Sequence, residues 1–335
     1  MNKKVVAFGG GTGLSCLLKG LKGYPLDITA VVSVSDDGGS AGALRDEFNI
    51  LAVGDIRRVL VALSTNEGLI EKLFNYRFES AGNLNKHTIG NLILTALAKK
   101  LGSIQKAIDA LDEIFNMRGN VMPFTEDNNL KLVAKMADGS VIEGEHHITS
   151  YPSKIMQVAY KEEPIINEDL LYEIRQADMI VLSMGSLFTS VIPNLLSEQV
   201  RRAIDESNAK IVYCCNMFTQ PGETDDYKVS DHIKTLNQYL GNRKVEYVIA
   251  NCGEIDLELA HKYSTEEQKD PVELDYEETE KLGIKVFVED LAYIKKESTT
   301  GKNVIRHNYV KLGSNINAIA LNQEHMLRNR KTDNK

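Results

Sequence analysis

Four glycines fall within five positions, Gly9, Gly10, Gly11 and Gly13, with Thr12 among them and an apolar run on either side. Glycine lets backbone N–H groups approach a ligand closely, and the positive end of a following helix favours a phosphate. The chemistry this implies is anion binding, with a nucleotide or another phosphate ester as ligand. Neither familiar fingerprint is present. Counting G-x-G-x-x-G from Gly9 or from Gly11 ends on Leu14 or Cys16, and no Gly-Lys-Ser/Thr occurs. The alternative is a glycine turn that only joins strand to helix, although four glycines exceed what a turn needs.

Other polar groups fall at similar places along the chain. Asp36 and Asp37 follow the second apolar run, where an acid holds ribose hydroxyls or, as a pair, Mg²⁺ with waters; an Asp-rich turn is the alternative. Asp55 opens a helical pattern, as a cap or as a cleft residue, and Arg57 beside it is a phosphate clamp or a solvated arginine. His87 and Asn91 lie one turn apart, with the costly Gly90 between them pointing to close packing. Gly185, Ser186, Thr189 and Ser190 follow another apolar run and suit a second anion site. Asn216, Thr219 and Gln220 follow the next and supply amides and a hydroxyl for a base or sugar. His146-His147 reads as a solvated pair rather than metal ligands. No Ser-His-Asp order or G-x-S-x-G elbow offers a nucleophile.

The elements that must position these groups alternate. Residues 5–8, 28–34, 179–183, 211–215, 245–250 and 285–288 read as strands, several of them β-branched throughout, as in a parallel sheet covered on both faces. Helical patterns occupy 14–21, 55–64, 69–74, 88–101, 103–117, 167–176, a stretch from Pro193 to about 205, 225–240 and 315–328, with Thr88 and Ser103 as N-caps. The texture changes over 120–163, where short alternating runs and an Asp138-Gly139 turn predict a small inserted antiparallel β subdomain. The expected fold is one α/β domain over 1–335, a doubly wound, Rossmann-like, mostly parallel sheet, with a frayed tail at 329–335. Ligands then sit beyond the C-terminal ends of the strands.

Composition narrows the class. The 335 residues hold 39 Lys and Arg against 47 Asp and Glu, a net charge of −8, and no basic cluster that would grip a nucleic-acid backbone. No leader or membrane-spanning pattern is visible, and the four cysteines form no C-x-x-C pair, so reduced thiols in a cytoplasmic protein are expected.

Six motifs then stand in a recognisable order: residues 9–15, 33–40, 54–57, 87–91, 185–194 and 216–224. The chain resembles the CofD-like superfamily, and within it the YvcK-type gluconeogenesis factors (UPF0052), over nearly its whole length. That resemblance implies a cytoplasmic regulatory protein that binds a nucleotide sugar such as UDP-N-acetylglucosamine and supports cell shape and growth on gluconeogenic carbon sources. The CofD branch implies instead a Mg²⁺-dependent phosphotransferase resembling 2-phospho-L-lactate transferase, and an NAD-like dinucleotide also suits the fold. A scaffold working through surface partners is the third reading. By position, Gly10, Gly11, Thr12, Gly13 and Leu14 would wrap a diphosphate, and Asp36 and Asp37 would hold ribose or, if Mg²⁺ is used, the metal. Asp55, Arg57, His87 and Asn91 would line the cleft, with Gly185, Ser186, Thr189 and Ser190 at the second phosphate or sugar. Asn216, Thr219 and Gln220 would select the base or sugar, and Arg306 would reach the same ligand. Homodimerisation and cell-envelope regulatory partners follow by analogy only. Three places depart from the family pattern: Val53 and Arg58 replace an expected proline and asparagine, and Ser183-Met184 replaces Gly-Pro.

Overall fold

Residues Lys3–Gly9 form β1, and its alternation divides two cores: Val5 and Ala7 face one, Val6 and Phe8 the other, each at most 1% exposed. The computed structural model describes residues 2–35, 39–296 and 301–327; Asp36, Asp37 and the 329–335 tail lie outside the described residues. Eleven further strands follow in chain order: β2 Leu26–Val32, β3 Asn120–Pro123, β4 Leu132–Met136, β5 Val141–Glu143, β6 Ile155–Tyr160, β7 Met179–Leu182, β8 Lys210–Cys214, β9 Tyr247–Asn251, β10 Lys285–Glu289, β11 Ala292–Lys296 and β12 Asn303–His307.

Seven of them make one sheet in the order β10-β9-β8-β7-β1-β2-β3, every neighbouring pair parallel. The chain winds outward from β1 through β2 to β3. It then returns to the other side of β1 and winds out from β7 to β10. The strand order therefore reverses between β1 and β7, and loops leaving those two neighbours must part there, which opens a crevice. The fold is α/β, doubly wound and Rossmann-like. Among the described residues no helix is long and apolar enough to cross a membrane.

The first helix, Gly11–Leu21, packs on helices Gly54–Leu63 and Tyr309–Ala320. It crosses the latter at two glycines: a Cβ on Gly20 would meet the Tyr309 carbonyl at 2.1 Å, and one on Gly313 the Gly20 backbone at 2.7 Å. The sequence signals for caps translate directly, since Thr88 and Ser103 accept from the amides of Asn91 and Lys106.

The inserted piece differs from its expected bounds. Residues 120–123 are β3, the edge strand of the main sheet, paired with β2; Pro123 is tolerated there because an edge strand has a free side. The antiparallel sheet, β5-β4-β6, begins at Leu132, with the turn before β5 closed by Gly139 N–H to Met136 O. A short helix, Glu145–Ser150, stands within it between β5 and β6. Its apolar face (Leu132, Ala134, Met136, Ile148, Ile155 and Val158) joins the core behind Val6 and Phe8.

The single helix expected from Pro193 to about 205 is two pieces, and a π turn precedes them. A π turn at Leu187–Val191 runs into a 3₁₀ turn at Ile192–Leu195, and an α-helix restarts at Glu198–Glu206. Proline cannot donate to the carbonyl four residues back and clashes with it. The buried Asn194 side chain instead donates to Ser190 O at 2.8 Å and Val191 O at 3.3 Å.

Candidate functional site

A cleft of about 690 Å³ opens where β1 and β7 part, a volume suited to a small ligand. Its floor is the turn after β1. Gly10 caps the helix Gly11–Leu21 without a side chain, and that helix has no acid in its first turn. Gly13 touches the neighbouring turn so closely that a Cβ there would lie 1.7 Å from Met184 O. The turns after β1 and β7 thus form one continuous surface, made of Gly10, Gly11, Thr12 and Gly13 on one side and Gly185, Ser186 and Ser190 on the other. Leu14 does not belong to it: its side chain is fully buried in the core and its N–H bonds to Gly10 O.

Asp55 lies against the glycine turn, its carboxylate 2.9 Å and 2.8 Å from where Cβ atoms on Gly10 and Gly11 would be. The arginine that joins it in the cleft is Arg58, not Arg57. Arg58 Nη1 donates to Asp55 Oδ1 at 2.8 Å and keeps 44% of its side chain exposed. Arg57 points the other way. It is 5% exposed and donates to Phe74 O and to Asn75 Oδ1, and burial lowers its pKa to about 10. The spacing carried the signal: Asp55 and Arg58 are i,i+3 on a helix and face together, whereas Asp55 and Arg57 do not.

His87 and Asn91 also fall outside the cleft. Both bond the Ser40 hydroxyl, at 3.0 Å and 3.2 Å, and form a second polar cluster beside Arg57. Gly90 between them is needed for packing, since a Cβ would meet Phe74 at 2.5 Å and Arg57 at 2.7 Å. Thr189 is buried beneath the second turn and bonds Ser186 rather than lining the cleft.

The wall after β8 carries Asn216, Thr219 and Gln220. Asn216 is committed to the fold: its amide clasps Gly185, accepting from the Gly185 N–H at 2.8 Å and donating to the Gly185 carbonyl at 2.6 Å. Thr219 is likewise tied to Asp270 through its backbone and hydroxyl. Gln220 differs, because it lines the cleft and its buried Oε1 has no hydrogen-bond partner.

Three structures complete the walls: the sequence indicated Arg306 and the inserted subdomain, but not the hairpin that carries Arg306 or the helix that adds Tyr263. The β11–β12 hairpin brings Arg306 and His307 to the rim, and the Tyr263 hydroxyl accepts from Ile305 N–H at 3.0 Å to hold it. Helix Leu257–Glu267 and the residues after it add Tyr263, Glu267 and Lys269, the last two paired at 2.7 Å. Tyr263 packs edge to face on Phe218 with ring centroids 5.1 Å apart, an aromatic corner in the cleft. The inserted subdomain contributes Glu145. His307 Nε2 lies 3.1 Å from Cys215 O and donates to it, and burial lowers its pKa to about 4. That carbonyl is an acceptor, so the ring nitrogen facing it carries the proton. Cys16, also in the cleft, has its thiol pushed up to about 11 by burial and is a poor nucleophile. His146 and His147 are exposed, and the described residues hold no group of three or more metal-ligating side chains.

The arrangement presents three cations, Arg58, Lys269 and Arg306, three carboxylates, Asp55, Glu145 and Glu267, and a helix N-terminus. Such a surface suits a ligand that is anionic in one part and rich in hydroxyls in another. A family model described as 2-phospho-L-lactate transferase CofD matches residues 5–292. The chain belongs to the CofD family. It is 42% identical over 315 residues to the gluconeogenesis factor of Bacillus subtilis strain 168, covering 93% of this chain and 96% of that one. It is 40% identical over 316 residues to the gluconeogenesis factor of Halalkalibacterium halodurans, covering 94% and 95%. The crystal structure of a UPF0052 family member from Bacillus halodurans superposes with a TM-score of 0.87 at 40% identity, covering 94% of this chain and 99% of that one.

Within the CofD-family frame, two of the departures acquire a location. Arg58, at the position expected to be asparagine, is the cation beside the glycine turn. Ser183-Met184, in place of Gly-Pro, leads into the turn whose Met184 carbonyl touches Gly13.

Proposed function

We propose that the cleft binds a nucleotide diphosphate ester, a UDP-sugar in particular, and that the protein is a ligand-responsive regulator serving growth on gluconeogenic carbon sources and cell shape. The observation that carries the reading is the joining of two phosphate-type turns, at residues 10–13 and 185–190, across the strand-order reversal. Arg58 and Arg306 both line the cleft and supply cations for the phosphates. Asp55, Glu145 and Gln220 suit hydroxyl and amide groups, and the Phe218–Tyr263 corner offers a flat base a stacking surface. The name gluconeogenesis factor, carried by relatives about as long as this chain, supports the physiological half of the proposal.

A second reading rests on the family description, a 2-phospho-L-lactate transferase. Phosphoryl transfer needs positioning and charge neutralisation more than a covalent nucleophile, so the same residues suit it. Mg²⁺, if used, falls to Asp36 and Asp37.

Calorimetric titration with UDP-N-acetylglucosamine, UDP-glucose, NAD and GDP, each with and without Mg²⁺, separates these readings. The expected outcome is micromolar binding of a UDP-sugar without turnover, weakened at least tenfold by Arg306→Ala. Mg²⁺-dependent binding of GDP alone, with phosphoryl transfer, overturns the regulatory reading.

A further inference from the structure

Beneath the second turn lies a carboxyl group that the proposed function does not use. Glu223 is 3% exposed, and its carboxylate bonds the hydroxyl of Ser186, a residue that lines the cleft. Four contacts define the arrangement. Ser186 Oγ lies 2.6 Å from Glu223 Oε2 and 2.6 Å from Thr189 Oγ1. Thr189 N–H donates to Ser186 Oγ at 3.1 Å, and Phe188 N–H donates to Glu223 Oε2 at 3.3 Å.

A serine hydroxyl has one proton to give and two lone pairs to accept with. With Glu223 ionised, the carboxylate accepts only, so the Ser186 proton must point at it. Thr189 is buried, and its hydroxyl then donates to Ser186, alongside its own N–H. Ser186 is saturated in this state: one proton given inward, two lone pairs filled, nothing left for an anion in the cleft. With Glu223 protonated the direction reverses. The carboxylic acid donates to Ser186, Thr189 N–H fills the other lone pair, and the Ser186 proton, no longer held by Glu223, is free to turn to Thr189 Oγ1 or to an anion in the cleft. Asn216 clasps Gly185 from both sides, so the change is a rotation of hydroxyl protons on a fixed turn.

From this count we infer that Glu223 is a positioning residue which sets whether Ser186 offers a proton to the ligand, and that binding of an anion at Ser186 takes up one proton at Glu223. The inference rests on the reading of the cleft as an anion site and deepens it. The surroundings of Glu223 support it. Desolvation raises its pKa, and Asp225, in the same turn, pushes the same way, while the Ser186 and Phe188 bonds oppose them. The same cleft is lined by Asp55, Arg58, Glu145, Glu267, Lys269, Arg306 and His307, so the contribution of Glu223 must be isolated by substitution.

The test is titration calorimetry of the full chain with UDP-N-acetylglucosamine and with NAD, from pH 5.5 to 8, in pairs of buffers of different ionisation heat. Both probes are diphosphate diesters that keep their phosphate charge over this range. The wild-type protein is expected to take up a proton on binding and to bind more weakly as pH rises, approaching tenfold per pH unit where Glu223 is ionised in the free protein and protonated in the complex. Glu223→Gln, which cannot ionise, is expected to lose both the proton uptake and the slope. Ser186→Ala removes the group that transmits the effect and is expected to bind weakly and also without slope; it carries the test if Glu223→Gln does not melt cooperatively. Binding by the wild type without proton uptake, or a wild-type slope kept in either folded variant, overturns the inference and leaves the cleft reading intact. No binding of either probe at any pH overturns both.

Discussion

Two polar regions of this protein look alike in sequence and are unlike in the folded chain. Both the 9–13 and 185–190 pair and the Arg57–His87–Asn91 set combine glycine with hydrogen-bonding side chains next to a helix start. The first pair forms one surface, because β1 and β7 are neighbours and their following turns have nowhere else to go. The second set opens helices, and a helix aims its side chains by its own rotation, not by the sheet. Arg57 thus turns into the packing between helices and is held by Phe74 O and Asn75, while Arg58, one residue on, faces the cleft. Topology fixes where a strand-end turn lies; at a helix start, a shift of one residue swings the side chain by about 100°.

The largest test of this difference is Gly13→Val. Any Cβ at this position falls 1.7 Å from the Met184 carbonyl, a backbone atom that cannot move alone, so the turns after β1 and β7 must separate. The expected result is a loss of about 3 kcal/mol or more of stability in chemical unfolding, with no residual ligand binding. A variant as stable as the wild type would show that the two turns are not locked together. Gly139→Ala is the contrasting control: its φ is positive, 89°, but nothing lies within 4 Å, and it should cost about 1 kcal/mol.

Arg57→Ala and Arg58→Ala sharpen the comparison next. Arg57→Ala strips two acceptors of their donor inside a buried contact and leaves a void against Gly90, so about 2–3 kcal/mol of stability should go. Ligand affinity should change less than threefold. Arg58→Ala should do the reverse. It removes an exposed partner of Asp55, costs under about 0.5 kcal/mol, and weakens binding of a diphosphate ester by about tenfold. If binding fails in Arg57→Ala and survives in Arg58→Ala, the assignment of the two arginines is inverted.

What the sequence makes legible follows the same line. The parallel strands and the turns after them can be read off because β-branched runs with glycine ends have few other structures open to them. Caps such as Thr88 and Ser103 are equally local. β3 is not legible as sheet, since four residues ending in Pro123 look like the start of the inserted piece and become a strand only by lying beside β2. Nor is the wall carrying Arg306. The β11–β12 hairpin holds no strong alternation, and its place over the cleft depends on Tyr263, some forty residues away in sequence. Asn216 and Thr189 have ligand-binding chemistry that the fold consumes: one clasps Gly185 and the other supports Ser186. The distinction between a polar residue offered to a ligand and one spent on the backbone requires the partners to be known.

The smallest expected effect concerns two buried histidines, one in each setting. His307 faces the cleft and His232 lies in the opposite core, where Nδ1 is 3.0 Å from the Tyr213 hydroxyl. Burial lowers both pKa values to about 4, from an ordinary value of 6.5. The unfolded chain therefore binds protons at these positions before the folded one does. Their neutral forms leave stability at its full value above pH 6.5, and stability is lost as pH falls from there toward 4. Each should cost about 1–2 kcal/mol between pH 7 and pH 5 in urea unfolding. His232→Asn should remove its share of that slope whether or not ligand is present, because nothing in the cleft reaches it. The share of His307 should change when the cleft is filled, since an anion beside the ring favours its charged form and narrows the gap between folded and unfolded pKa. If saturating ligand alters the acid slope of His307→Asn as much as that of the wild type, the cleft ligand does not act through His307, and this wall is structural in the way the Arg57 cluster is.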